Sequence, residues 1–115
     1  MSGRLQVRLE VLRDRLDALD RRAVRVLARR QRLVEAIAGL KGDPARVRDP
    51  ARVEAVLANV LQAAGAAGLS PAIAEPVWRL LVERCAEHQT VWLESHGRNG
   101  DGCCGCEGAP RAFDA

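Results

Sequence analysis

Apolar residues near the start of the chain recur in steps of four and three. Ten positions follow this spacing: Leu5, Leu9, Leu12, Leu16, Leu19, Ala23, Val26, Leu33, Ile37 and Leu40. Steps of this kind place side chains on one side of an α-helix. The pattern therefore predicts one long helix over residues 4–41, about 57 Å in length at ~1.5 Å per residue.

Three cations interrupt the wide apolar face of this helix. Arg30 occupies a position within the apolar series, and Arg13 and Lys41 stand at the two ends of the adjoining stripe. A charge buried without a partner costs free energy. We therefore expect these cations to bind an anionic group.

A second helix follows a short connector. Residues 42–44 (Gly-Asp-Pro) end the first helix, since glycine and proline are typical of helix stops. Asp49 and Pro50 combine an N-cap residue with proline at the first helical position. These signals predict a helix over residues 50–66, closed by the glycines at 65 and 68.

The third helix carries the same start signal, in Ser70 and Pro71, and is predicted to run to about Ser95. Pro76 falls early in this helix. Because proline removes a helical hydrogen bond, it predicts either a kinked first turn or a regular helix that begins nearer Glu75.

The composition and the helix lengths together predict the fold class. Hydrophobic residues make up 48% of the 115 residues and aromatic residues only 3%, which favours helices built on Leu, Val, Ile and Ala. Two shorter helices cannot cover the apolar face of the first, and large uncovered apolar faces mark interfaces. We expect an all-α, three-helix chain with one long N-terminal helix that forms an intertwined antiparallel homodimer.

Residues 1–96 are predicted to form the helical domain, and residues 97–115 a disordered tail rich in Gly and Cys. Cys103, Cys104 and Cys106, with His96, offer soft ligands, but they lack the paired Cys-x-x-Cys spacing of zinc sites. We therefore predict no metal site. The sequence has no apolar run of membrane-spanning length and no signal-peptide pattern, so we expect a cytoplasmic protein that does not bind membranes.

Positive charge is concentrated in the first helix. Residues 1–41 hold ten arginines and one lysine against five acidic residues, a formal net charge of +6. One hypothesis is therefore a dimer that binds nucleic acid through Arg21, Arg22, Arg25, Arg29 and Arg32. We favour the simpler interpretation, in which these arginines are solvated and nucleic acid is not a partner. A third hypothesis is a dimerisation module in which Arg30 only specifies the register of the helices.

Several short motifs occur in a characteristic order. They are Leu-Arg-Asp-Arg-Leu-Asp-Ala-Leu-Asp at 12–20, Leu-Ala-Arg-Arg at 27–30, Lys41, Arg-Asp-Pro-Ala-Arg-Val at 48–53, Gly-Leu-Ser-Pro at 68–71 and Glu-His-Gln at 87–89. Over residues 8–92 the chain resembles the all-helical (AroQ-class) chorismate mutase family. The resemblance implies an intertwined dimer of three-helix chains that converts chorismate to prephenate without a cofactor.

The resemblance also implies roles for four residues in the reaction. Arg13 matches the arginine that each chain lends to the active site of its partner. Arg30 matches the arginine that binds a substrate carboxylate within its own chain, and Lys41 and Gln89 match the pair that contacts the ether oxygen. The spacing agrees, because Arg13 and Arg30 are 17 residues apart, about 25 Å along one helix, and cannot hold one small ligand within a chain.

Three further positions match substrate contacts. Asp49 and the segment at Arg52 match positions that hold the substrate hydroxyl. Cys85 stands where relatives often place a hydroxyl residue near a carboxylate, and a thiol is a weaker donor. Cys85 as a small core residue remains the alternative interpretation.

Isochorismate-pyruvate lyase is a sister activity in the same family with a similar set of arginine, lysine and glutamine. In the lyases the connector tends to be more apolar and to lack the acidic residue, so Asp49 favours the mutase. His88, beside Gln89, is expected to serve in helix packing rather than as a base.

Overall fold

The computed structural model describes residues 2–96, and it is all-helical as the sequence predicts. The helices are α1 (Ser2–Lys41), α2 (Pro50–Ala67) and α3 (Pro71–His96), with a 3-10 turn at Pro44–Arg46 between the first two. Their ends lie within two residues of the predicted ones. In this described part of the chain, no helix combines the length and the apolar character that crossing a membrane requires.

Capping residues explain where α2 and α3 begin and end. The Asp49 carboxylate accepts a hydrogen bond from the Arg52 backbone N–H at 3.2 Å, and the Ser70 hydroxyl accepts one from the Ala72 N–H at 3.2 Å. Gly68 ends α2 with a φ of 78°, a left-handed conformation that glycine adopts without strain. The helix α3 begins at Pro71 and runs through Pro76, so a start near Glu75 is not observed.

The helices α1 and α3 pack in parallel. Arg30 contacts Cys85, Val34 contacts Gln89, and Gly39 lies against the ring of Trp92. The contact partners advance together along both helices, which is the signature of parallel packing. After the short turn at residues 68–70, α3 folds back along α2, and Glu54 lies 3.8 Å from Arg79 across this hairpin.

The buried core is small. Among the described residues, the buried apolar side chains are Ala38, Val47, Leu57, Ala64, Ala74 and Leu93. Ala38, Val47 and Leu93 form one cluster, in which the end of α1, the connector and α3 meet. Gly39 faces the Trp92 ring, and a Cβ at this position would be in ordinary van der Waals contact with the ring at 3.5 Å.

Most of α1 projects away from this core. Within residues 3–27, which we call the free arm, only Leu9 and Ala18 are even partly buried. Leu5 is 62% exposed and Leu16 is 56% exposed, although both lie on the apolar face. The radius of gyration is 18.5 Å, whereas a compact chain of this length has about 13 Å. A single chain thus leaves the apolar face of its longest helix uncovered.

Candidate functional site

The parallel contact between α1 and α3 brings three predicted site residues together. We call this line of contact, from Arg30 and Cys85 to Gly39 and Trp92, the seam. Arg30 and Val34 lie one turn apart on α1, and Cys85 and Gln89 lie one turn apart on α3. Matching turns of two parallel helices stay level, so the residues meet in two pairs. The half-buried Arg30 guanidinium donates to Cys85 Sγ at 3.3 Å.

Gln89 is the one buried polar residue among those the structure describes, at 8% exposure. Its Nε2 donates to the Val34 backbone oxygen at 2.9 Å. A carbonyl oxygen can only accept, so this contact fixes which end of the amide faces α1. The second N–H of Nε2 is left for another acceptor.

Lys41 is the last residue of α1 and is partly buried. Its Nζ donates to the Arg46 backbone oxygen at 3.2 Å, which ties the end of α1 to the connector. An ammonium group has three N–H donors, so two remain. Lys41 follows Arg30 by 11 residues, about three turns, and both side chains therefore leave α1 on nearly the same side.

The connector between α1 and α2, residues 42–49, is fixed to α3 by one buried residue and one ion pair. Val47 is buried, and Arg48 Nη1 lies 2.8 Å from Glu83 Oε2. The hydrogen bond from Arg48 holds the pKa of the Glu83 carboxyl below its usual value, and its charge acts in the same direction. The same hydrogen bond raises the pKa of Arg48. Asp49 is the next residue and is thereby held close to the contact between the connector and α3.

Asp49 and Arg52 are less closely associated with the other site residues. The Asp49 carboxylate caps α2 through the backbone of Arg52. Within residues 2–96, no side-chain hydrogen bond or ion pair joins either residue to Arg30, Lys41 or Gln89. The structure therefore places them at the start of α2 without a direct link to the seam.

Arg13 is not brought to the seam. It is exposed on the free arm, on the same helix as Arg30. Their separation of 17 residues corresponds to about 25 Å along α1. A site that uses both arginines requires one of them from a second chain.

One contact at the seam was not predicted in full. His88 Nε2 lies 2.7 Å from Glu35 Oε2, so the histidine packs against α1 and also pairs with it. Glu35 was not identified from the sequence. Its available signal was weak, namely its position four residues after Gln31, whose Nε2 also approaches the carboxylate at 3.3 Å.

The arrangement places the donors of Arg30 and Gln89 at the contact between α1 and α3, and the donor of Lys41 about three turns further along α1. Arg30 offers a planar guanidinium suited to a carboxylate, and Lys41 and Gln89 offer further N–H groups. Such a set suits the binding of a small anionic molecule and the stabilisation of negative charge on an oxygen atom. Cys103, Cys104 and Cys106, for which no metal site is predicted, lie outside the described residues.

Comparison with models of protein families identifies the family to which the chain belongs. The family model described as "Chorismate mutase type II" matches residues 12–90, about two thirds of the chain. The matched segment contains all seven predicted site residues, from Arg13 to Gln89. Comparisons with curated proteins and with solved structures gave no significant match.

Proposed function

Because the chain belongs to the chorismate mutase type II family, whose members are isomerases acting on chorismate, we propose that it converts chorismate to prephenate as a homodimer. This reaction belongs to aromatic amino acid biosynthesis, which agrees with the expected cytoplasmic location. The observation that carries the proposal is the pair of donors from Arg30 and Gln89 at the α1–α3 contact, with Lys41 at the end of α1 on nearly the same side as Arg30. Membership of the family indicates chorismate as the substrate, and these N–H donors suit the binding of an anionic molecule of this kind.

The proposed mechanism needs no nucleophile, metal or proton transfer. In the rearrangement an ether C–O bond breaks while a C–C bond forms within one molecule. Arg30 binds a substrate carboxylate with Cys85 beside it, which helps to hold the substrate in its folded reactive shape. Lys41 and the free N–H of Gln89 donate to the ether oxygen as negative charge grows on it.

The connector supplies the remaining contacts of the proposed site. Asp49 and Arg52 bind the substrate hydroxyl at the start of α2. Asp49 favours the mutase over isochorismate-pyruvate lyase, the alternative activity, whose connector tends to be more apolar and to lack the acidic residue.

The proposed dimer follows from the free arm. Two α1 helices that overlap antiparallel over their full length would cover each other's apolar faces. Arg13 and Arg30 lie equally far, about 13 Å, on either side of the midpoint of α1 (Ser2–Lys41). Full antiparallel overlap therefore brings Arg13 of one chain level with Arg30 of the other. The partner's arginine would complete the cationic site.

The choice between the two activities is tested by offering chorismate and isochorismate side by side to the purified protein. We expect prephenate from chorismate, with no added metal or cofactor. Formation of salicylate and pyruvate from isochorismate, with no prephenate from chorismate, would instead identify the lyase.

Replacement of Lys41 by alanine tests the proposed site. We expect Lys41→Ala to lower kcat/KM for chorismate by about 10²–10³-fold, because a donor to the developing charge is lost. Arg46→Ala is the matched control, since Lys41 contacts only the backbone oxygen of Arg46. A Lys41→Ala enzyme as active as the control would contradict the proposed role.

A further inference from the structure

Two hydrogen bonds cross from α3 to α1 side by side. Gln89 Nε2 donates to the Val34 backbone oxygen at 2.9 Å, and the neighbouring His88 Nε2 meets Glu35 Oε2 at 2.7 Å. Both contacts therefore join consecutive residues of one helix to consecutive residues of the other. The proposed function uses Gln89 and leaves the Glu35–His88 pair without a role.

The chemistry of Glu35 and His88 fixes the direction of the hydrogen bond between them. A carboxylate oxygen accepts, so the hydrogen of this contact is carried by His88 Nε2. The same oxygen, Glu35 Oε2, also accepts from Gln31 Nε2 at 3.3 Å, which holds the carboxylate on α1. The side chains of His88 and Glu35 are 39% and 23% exposed, so the pair is partly shielded from water.

The rest of the contact between α1 and α3 is mainly apolar, with Leu93 and Trp92 as its larger side chains. The residues packed there include Ala38, Gly39 and Ala86, which are small, and the Arg30–Cys85 contact uses a weakly accepting sulfur. Within residues 2–96, Glu35–His88 is the only acid–base side-chain pair between α1 and α3. Because apolar contacts are non-directional, the Glu35–His88 pair adds a directional constraint next to Gln89.

We propose that Glu35 and His88 are positioning residues that fix the Gln89 amide for its contact with the ether oxygen. The inference rests on the proposed function, since it concerns the same site. His88 holds the backbone of α3 at the residue next to Gln89, and Glu35 holds the partner position next to Val34. The pair thereby sets where the free N–H of Gln89 points.

The first test is a set of single variants assayed for prephenate formation. We expect His88→Ala to lower kcat roughly tenfold, because small misplacements of a catalytic group are costly, and to leave KM within about twofold. His88→Gln should recover most of kcat, since its Nε2 also carries an N–H. Arg79→Ala, which removes a charge contact between α2 and α3, is the control and should keep wild-type kcat.

Variants of Glu35 test the same contact from α1, so that a folding defect of His88→Ala does not decide the result. Glu35→Gln keeps an acceptor oxygen and should stay close to wild type, whereas Glu35→Ala should repeat the loss of kcat. A loss confined to KM, or a failure of both conservative variants to recover kcat, would overturn the proposal.

A double-mutant cycle with Gln89→Ala separates positioning from general stabilisation. If His88 acts through Gln89, His88→Ala should cost less than about twofold in kcat once Gln89 is absent. An undiminished tenfold loss in that background would mean that His88 acts elsewhere, and would overturn the inference. Wild-type activity on chorismate is measured first, so failure of the proposed function is recognised independently of this cycle.

Discussion

At the scale of single residues, Gln89 is a buried amide that donates to a backbone oxygen of α1. The Val34 oxygen that accepts from it also belongs to the hydrogen-bond ladder of α1. The Val34 oxygen therefore keeps a hydrogen-bond partner when the Gln89 amide is removed. The second N–H of its amide is the donor that the proposed reaction requires.

Replacement of Gln89 by leucine separates these two roles. We expect Gln89→Leu to leave Tm nearly unchanged, because a side chain of similar size fills the space and no buried polar group is orphaned. The same variant should lose about 10²–10³-fold in kcat. Thermal unfolding and the chorismate assay measure the two effects, and retained kcat would argue against a role for the amide in the reaction.

For Cys85 we predict a substitution that improves substrate binding rather than one that impairs the reaction. A hydroxyl is a stronger donor than a thiol, so Cys85→Ser should bind the substrate carboxylate better and lower KM for chorismate a few-fold. We expect kcat to change little, because the carboxylate does not take part in bond breaking. Cys85→Ala provides the comparison, and a KM that rises in both variants would indicate that Cys85 serves only in packing.

The sequence predicted some of these residues and not others for a physical reason. Arg30, Cys85 and Gln89 were identified because the motif spacing is local to each helix and matches a known family. The Glu35–His88 contact joins residues far apart in the chain and on different helices. Helical periodicity says which face a residue lies on, but not which residue it meets.

At the scale of elements, the Arg48–Glu83 ion pair attaches the connector to α3, together with the buried Val47. The pKa of Glu83 is lowered by Arg48, so the pair's contribution to folding is complete above the unfolded-state value of 4.5. That contribution is lost as the pH falls through the lower, folded-state pKa. Acid therefore weakens the attachment of the connector to α3.

We expect Glu83→Gln to have a lower Tm than wild type at pH 7, and the difference to shrink below about pH 4.5 and then vanish. Glu75→Gln is the matched control, since Glu75 is similarly exposed and pairs within α3 with Arg79. Thermal unfolding over a pH series measures the effect. A Tm difference between wild type and Glu83→Gln that persists unchanged in acid would contradict the assigned electrostatic origin.

The ends of the helices were predictable because their signals are local. Asp49, Ser70 and Gly68 act within one turn of the ends they define, through bonds to nearby backbone groups. Pro76 was harder to interpret, since proline disfavours a helix interior without forbidding it. The helix α3 packs against both α1 and α2, and this packing supports a helix that contains a proline.

At the scale of the whole molecule, the free arm dominates the shape. The structure extends 65 Å in its longest direction and only 22 Å in its shortest. Sequence periodicity predicted the apolar face of α1 and the shortage of helices to cover it. It could not specify the covering partner, because any apolar surface of suitable length satisfies the same pattern.

The most direct test of the composite site mixes two variants, Arg13→Ala and Lys41→Ala. The chains are unfolded together in equal amounts, refolded and assayed for prephenate, with each variant refolded alone as a control. If Arg13 serves the partner's site, half of the dimers are mixed and each holds one intact site, so activity should return to about a quarter of wild type. Activity no higher than that of the separate variants would contradict a site shared between two chains.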